Sequence, residues 1–296
     1  MLPHHSLQQL HALVGNAHWQ HDPLGEYRWL TFKSELSKFA DALWIFGQRD
    51  HMVSKQMLVP HWKTCLAVTR KWDIVTGQLC DVRLSLLGPV KAPRWNIGST
   101  GVEIIAVRLN PESVSALLDV RPPDIVDSDP IFKPRAGLDH VRRLAESGAH
   151  ADCVGTAMVA YLAEIASIAN SRVTPSASGA AMIRLSFGRL RVSDIAGTLN
   201  VPERTFRRQF EQDIGLSPKQ YSRRVWLMGL LLCTDRLARP NWSALAHDFG
   251  FFDQAHLIED TRLLTGLGPS QLHAMRRNLP VHEATRGLNY SSFVTG

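Results

Sequence analysis

Within the C-terminal third of this 296-residue chain, one pattern occurs twice. The stretch "SDIAGTLNVPERTFRRQFEQDIGLSP" (193–218) aligns with "SALAHDFGFFDQAHLIEDTRLLTGLGP" (243–269). Ser193, Ile195, Ala196 and Leu199 fall on Ser243, Leu245, Ala246 and Phe249. Asn200 falls on Gly250, and both tolerate the left-handed backbone that ends a helix. After one inserted residue, Phe206 meets Leu257, Gly215 meets Gly266 and Pro218 meets Pro269. Each copy therefore spells a short helix, a tight turn and a second helix. Few folds satisfy two such units in register.

The first copy also shows what its second helix is for. Read as a helix, Phe206 and Phe210 share one face, while Arg204, Arg207 and Arg208 share another with Thr205 beside them. The phenylalanines then pack on Ile195, Ala196 and Leu199, and the arginines look outward. In a helix-turn-helix the second helix lies in the major groove of DNA. Arginine suits that position, because its planar fork gives two hydrogen bonds to guanine O6 and N7, each such pair discriminating by roughly 1–3 kcal/mol. Arginines that miss a base still neutralise phosphate.

The second copy presents Gln254, Ala255, His256, Ile258, Glu259 and Arg262 outward. Ala255, Ile258 and Glu259 stand where Arg204, Arg207 and Arg208 stand in the first. A carboxylate is repelled by phosphates, yet it can accept from a cytosine amino group. The expectation is asymmetric reading: the first unit supplies most of the specificity, and the second adds orientation through Gln254, His256 and Arg262. Between the copies, residues 218–236 form one helical pattern with Tyr221, Val225, Met228 and Leu232 as its buried stripe. Such a rod is about 28 Å long, against about 34 Å between adjacent major-groove faces. One chain can thus read two successive turns without dimerising. Arg223 and Arg224 on the rod are open to either DNA backbone or solvent.

Charge agrees with this. Residues 181–280 hold 14 Lys and Arg against 9 Asp and Glu, whereas residues 1–180 hold 18 against 17, so most of the net +6 lies with the repeat. A local basic excess implies a polyanionic partner. Length points to two domains, and an apolar share of 45% supplies a core for them. The fold class expected is α+β. A mostly antiparallel N-terminal β domain occupies residues 1–169, with strands at 42–47, 65–75, 80–88 and 101–109. It ends in helices, at 111–120, 138–147 and 152–169. The small, polar stretch 170–179 reads as a linker. An all-α domain with two helix-turn-helix units joined by a long helix fills 180–280, and 281–296 reads as a flexible tail.

Cys65, Cys80, Cys153 and Cys233 show no metal or disulfide spacing and read as buried free thiols. His4, His11 and His18 recur at sevens, with His5 and His21 nearby, as along one solvated helical face; no cysteine or acidic cluster completes a metal set. His61 beside Trp62 reads as a packed core histidine. The chain shows no signal peptide, and its longest apolar run, 225–233, is too short for a bilayer. A cytoplasmic protein without membrane, metal or cofactor is expected. No GxSxG, P-loop, HExxH or GxGxxG motif supports an enzyme.

The strings "DIAGTLNVPERTFRRQF", "IGLSPKQY" and "ALAHDFGFFDQAHLIEDTRLLTGLGPSQL" resemble the DNA-binding domain of the AraC/XylS family of bacterial transcription regulators. The likeness covers about residues 178–277. More loosely, "LVPHWKTCLAV" and "GVEIIAVRLNPESVSALLDV" resemble the β-rich N-terminal domain of one group of that family. The resemblance implies a seven-helix domain, a double-stranded operator or promoter as partner, and contact with RNA polymerase. It leaves a small-molecule effector and a homodimer open. Three positions depart from the family pattern. Pro202 replaces a usual serine that caps the first reading helix and touches phosphate. Glu259 stands where a basic residue is usual, and Thr261 where an aromatic is usual. The rival expectation is a small-molecule- or metal-binding β protein, or an enzyme, with the helical part as an accessory.

Overall fold

The runs of β-branched and aromatic residues in the N-terminal half form strands, as their alternation dictates. A computed structural model describes residues 14–22, 25–32, 35–48, 55–97, 101–128, 136–168, 174–235 and 237–278. The strands are β1 (Val14–Asp22), β2 (Gly25–Phe32), β3 (Ala40–Gln48), β4 (Lys55–Leu58), β5 (Thr64–Trp72), β6 (Leu79–Leu87), β7 (Arg94–Ile97) and β8 (Val102–Leu109). Six of them make one antiparallel sheet in the order β1-β2-β3-β8-β5-β6, and β4 pairs with β7 as a separate ribbon. The register aligns apolar rows across four strands: Leu43, Val107, Leu66 and Leu86 in one, Ile45, Ile105, Val68 and Leu84 in the next. These rows bury one face of the sheet.

Three helices cover that face: α1 (Val114–Leu118), α2 (Asp139–Glu146) and α3 (Ala151–Ile168). Helix α3 lies closest. Val154, Met158, Val159 and Leu162 are buried, and a Cβ on Gly155 would stand 2.9 Å from Leu43. By length and composition α3 is the one described helix apolar enough to cross a membrane; here its apolar side packs on the sheet. The opposite face carries a buried ionic group in which Asp41 accepts from Arg108 and, at 3.0 Å, from Lys63. Burial works against the Asp41 charge, but the two cations outweigh it and hold the carboxyl below its ordinary range.

The four expected strands fall on β3, β5, β6 and β8. The β1–β2 hairpin overturns the helical reading of the N-terminal histidines: His18 lies opposite Trp29 and His21 opposite Glu26 in a strand ladder. His4, His5 and His11 lie outside the described residues, as do 281–296. The cysteines are free, but only Cys65 is buried; Cys80 and Cys233 are exposed.

The α+β layout continues with seven helices, α4 (Pro175–Leu185), α5 (Val192–Thr198), α6 (Glu203–Ile214), α7 (Pro218–Asp235), α8 (Trp242–Asp248), α9 (Gln254–Thr265) and α10 (Pro269–Asn278). Helix α4 corrects the linker boundary, since residues 175–179 are its first turns. Thr174 caps it by accepting from the Ala177 N–H at 3.1 Å, and Pro175 starts it where a missing N–H costs nothing. The small residues that resemble a linker serve close packing instead. A Cβ on Gly179 would stand 2.5 Å from the buried Phe206 ring. Gly179→Val should therefore lower stability by about 1–3 kcal/mol, read as a shift in urea midpoint at unchanged slope.

Candidate nucleic-acid interface

Two pairs of helices joined by tight turns, here called heads, match in outline: seven residues then twelve, in α5–α6 and again in α8–α9. Asn200 and Gly250 turn the chain at φ 54° and 77°, the left-handed geometry expected at both places. Phe206 and Phe210 are wholly buried with Ile195 and Ala196, and Leu199 packs on that cluster. The opposite side of α6 leaves Arg204, Arg207 and Arg208 exposed and Thr205 half-buried. Arg207 pairs with Glu203 at 2.6 Å, an exposed i,i+4 pair that tethers the side chain and adds little stability. Pro202 gives α6 no side-chain cap.

On α9, Gln254, Ala255, His256, Glu259 and Arg262 are exposed and Ile258 is half-buried. Asp253 caps this helix, its Oδ1 accepting from the His256 N–H at 2.8 Å. An aspartate directly before a helical pattern is a readable capping signal, overlooked beside the repeat. The His256 ring rests edge-on against Phe251 at 5.0 Å, and Phe251 against Trp226 at 4.9 Å. That packing holds the imidazole to its own head.

Helix α7 is buried on almost every side rather than along one stripe, because both heads and the β domain close around it. At 18 residues it is about 27 Å long. The heads also meet across it. A Cβ on Gly229 would stand 2.9 Å from Phe187 and 3.0 Å from Phe249, which face each other at 6.4 Å. Arg189 of the first head donates to the Asp248 carbonyl of the second at 3.2 Å. Arg223 is half-buried and tied to the second head, pairing with Asp260 of α9 at 2.6 Å. Arg276 of α10 holds Asp235 at the far end of the rod at 2.6 Å.

The first head shares its core with the β domain. Met57, Val59 and Trp62 belong to the same buried cluster as Phe206, Phe210 and Tyr221. An aromatic chain runs from Trp62 to Tyr221 (5.8 Å), Phe210 (5.5 Å) and Phe206 (5.5 Å). Arg184 donates to the Tyr221 hydroxyl and to Glu112, both at 2.8 Å. Arg224, only 3% exposed, donates to the Val90 and Lys91 carbonyls at 3.0 and 2.9 Å. Neither alternative expected for Arg224 holds: it is an internal tie. Gly215, at φ 84°, ends α6 where a Cβ would stand 2.7 Å from the Pro122 carbonyl oxygen. These contacts form a seam between β domain and first head.

His61 sits in that seam, half-buried, with its Nδ1 accepting from the Lys63 N–H at 3.2 Å. Burial, with Arg224, Lys63 and Arg94 nearby, pulls its pKa down to about 4. A folded-state value below the ordinary 6.5 means the unfolded chain binds the proton more readily, so stability falls as pH drops from 6.5 towards 4. The loss expected is about 2–3 kcal/mol, and His61→Gln should remove that part of the pH dependence of the urea midpoint.

A cleft of about 550 Å³ opens elsewhere in the β domain, lined by Arg28, Arg70, Trp72, Glu103, His150 and Asp152 among others. Four of its charges are paired within it, Arg70 with Glu103 and Arg28 with Asp152 at 2.7 Å. Among the described residues no group of three or more His, Cys, Asp or Glu could hold a metal ion.

No family model matches the chain, and no curated protein does. Among solved structures, ToxT from Vibrio cholerae O395 is similar at 8% identity and a TM-score of 0.40, over 80% of this chain and 97% of that one. ToxT from V. cholerae strain SCE256 with a bound unsaturated fatty acid is similar at 10% identity and 0.37, over 76% and 92%.

Proposed function

We propose that this chain is a sequence-specific DNA-binding regulator of transcription and not an enzyme. The observation that carries this reading is the exposed row of Arg204, Arg207 and Arg208 on the outward face of α6, in the first of two matching helix-turn-helix units. Such a row presents guanidinium forks to guanine edges and phosphates in a major groove. The second head, held by α7 and by the Phe187–Phe249 contact, enters the next groove on the same side of the duplex. Its Gln254, His256 and Arg262 orient the complex.

On this reading residues 1–169 act as a sensory or self-association domain, whose state reaches DNA through the seam to the first head. RNA polymerase is its partner besides the operator, a small-molecule effector and a second copy of the chain are left open, and the bacterial cytoplasm is its compartment. Footprinting of the full chain on the DNA upstream of its own gene tests the core of this. Protection of two segments about one helical turn apart is expected; no retardation of that DNA at low salt, with retention of a metal or a metabolite instead, rejects it.

A further inference from the structure

Resting on the DNA reading above, we propose that the second head is itself a base reader with a chemistry complementary to that of the first. Glu259 accepts from the N4 amino group of a cytosine, and Phe252 and Ala255 touch thymine methyl groups. The second half-site is then defined by cytosine and thymine, the first by guanine.

Three observations lead there. Glu259 is exposed at the place that Arg208 holds in the first head, and among the described residues it makes no ion pair, although Arg262 lies one turn further along. The adjacent carboxylate, Asp260, is neutralised by Arg223, and the acid in the first turn of α6, Glu203, is neutralised by Arg207. On α9, then, Asp260 is paired and the outward Glu259 is left open. Phe252 is 93% exposed, immediately before the Asp253 cap; it is the residue inserted relative to the first head, whose Val201 corresponds to the half-buried Phe251, the two donating alike to the Ala196 and Ala246 carbonyls. It lies at the N-terminal end of α9, the end that contacts base edges in a helix-turn-helix. Leaving a phenylalanine in water forgoes the gain from burying it, which a methyl-lined groove returns. Ala255, one turn before Glu259, keeps the same face narrow and apolar.

The physical logic is discrimination by repulsion. A carboxylate among phosphates weakens binding to every sequence, and recovers the loss only where a base donates a hydrogen bond. In the major groove those donors are the amino groups of cytosine and adenine, and the only methyl belongs to thymine. Glutamate is the partner suited to cytosine, glutamine the one suited to adenine. Arginine at the same place would add affinity everywhere and select guanine instead.

The test is selection from a random duplex pool with the full chain, followed by variants on the enriched site. A guanine-bearing half-site and, one turn away, a half-site with cytosine next to thymine are expected. Glu259→Gln should switch the preferred base at the cytosine position to adenine, with a change of about ten-fold in relative affinity. Replacing that thymine by uracil should weaken wild type about four-fold, the equivalent of one methyl group, and leave Phe252→Ser unaffected. An enriched site whose second half is unchanged in both variants would overturn this assignment while sparing the first head's role. A wild-type chain that enriches nothing would overturn the DNA reading and this assignment together.

Discussion

Changing Arg204, Arg207 and Arg208 together to alanine should weaken specific operator binding by about 100-fold or more while leaving the melting temperature within a degree or two. The three side chains are exposed, and the one ion pair among them is the solvent-facing Arg207–Glu203 contact, so nothing in the core depends on them. What disappears is the row of forks facing the groove. The salt dependence should shallow as well, by roughly one unit of slope for each phosphate no longer neutralised. Titrations of wild type and variant at two salt concentrations separate base reading from charge neutralisation. Unchanged affinity in both would remove α6 from the interface.

The second large effect lies in the seam. Trp62→Ala should cost about 3–5 kcal/mol, because Trp62 is fully buried against Tyr221 in the core of the first head. The residue belongs to the β domain by sequence and to the first head by packing. Denaturation of the variant should therefore begin in the first head, and DNA affinity should fall with stability although no groove-facing residue has changed. Val75→Ala, at an 89% exposed turn position, serves as the matched control and should stay within about 0.5 kcal/mol of wild type. A Trp62 variant as stable as that control would show the two parts to be independent bodies.

The two heads were legible because their information is local. Turn geometry at Asn200 and Gly250 and the inward spacing of Phe206 and Phe210 follow from chain chirality and helix period, whatever the rest of the protein does. The outward position of the arginines follows from the same period. The strands with strong β-branched alternation were legible for a similar reason. The seam was not, because Arg224 reaches carbonyls more than 130 positions away, and no pattern in either segment announces the other. The start of α4 was misread because glycine, serine and alanine are common to flexible chain and to a helix pressed against an aromatic ring. The β1–β2 hairpin was hidden by histidines whose spacing also fits a helix.

Gly229 has a bearing on operator architecture. Since the rings of Phe187 and Phe249 close on that bare backbone position, the offset between heads is set by hard-sphere packing and cannot stretch to suit a longer sequence. Each base pair added between half-sites rotates one against the other by about 34–36°. A regulator gripping DNA in this way would tolerate substitutions outside its contacts far better than a single-nucleotide insertion between them, and a half-turn insertion would carry the distal half-site to the far side of the double helix.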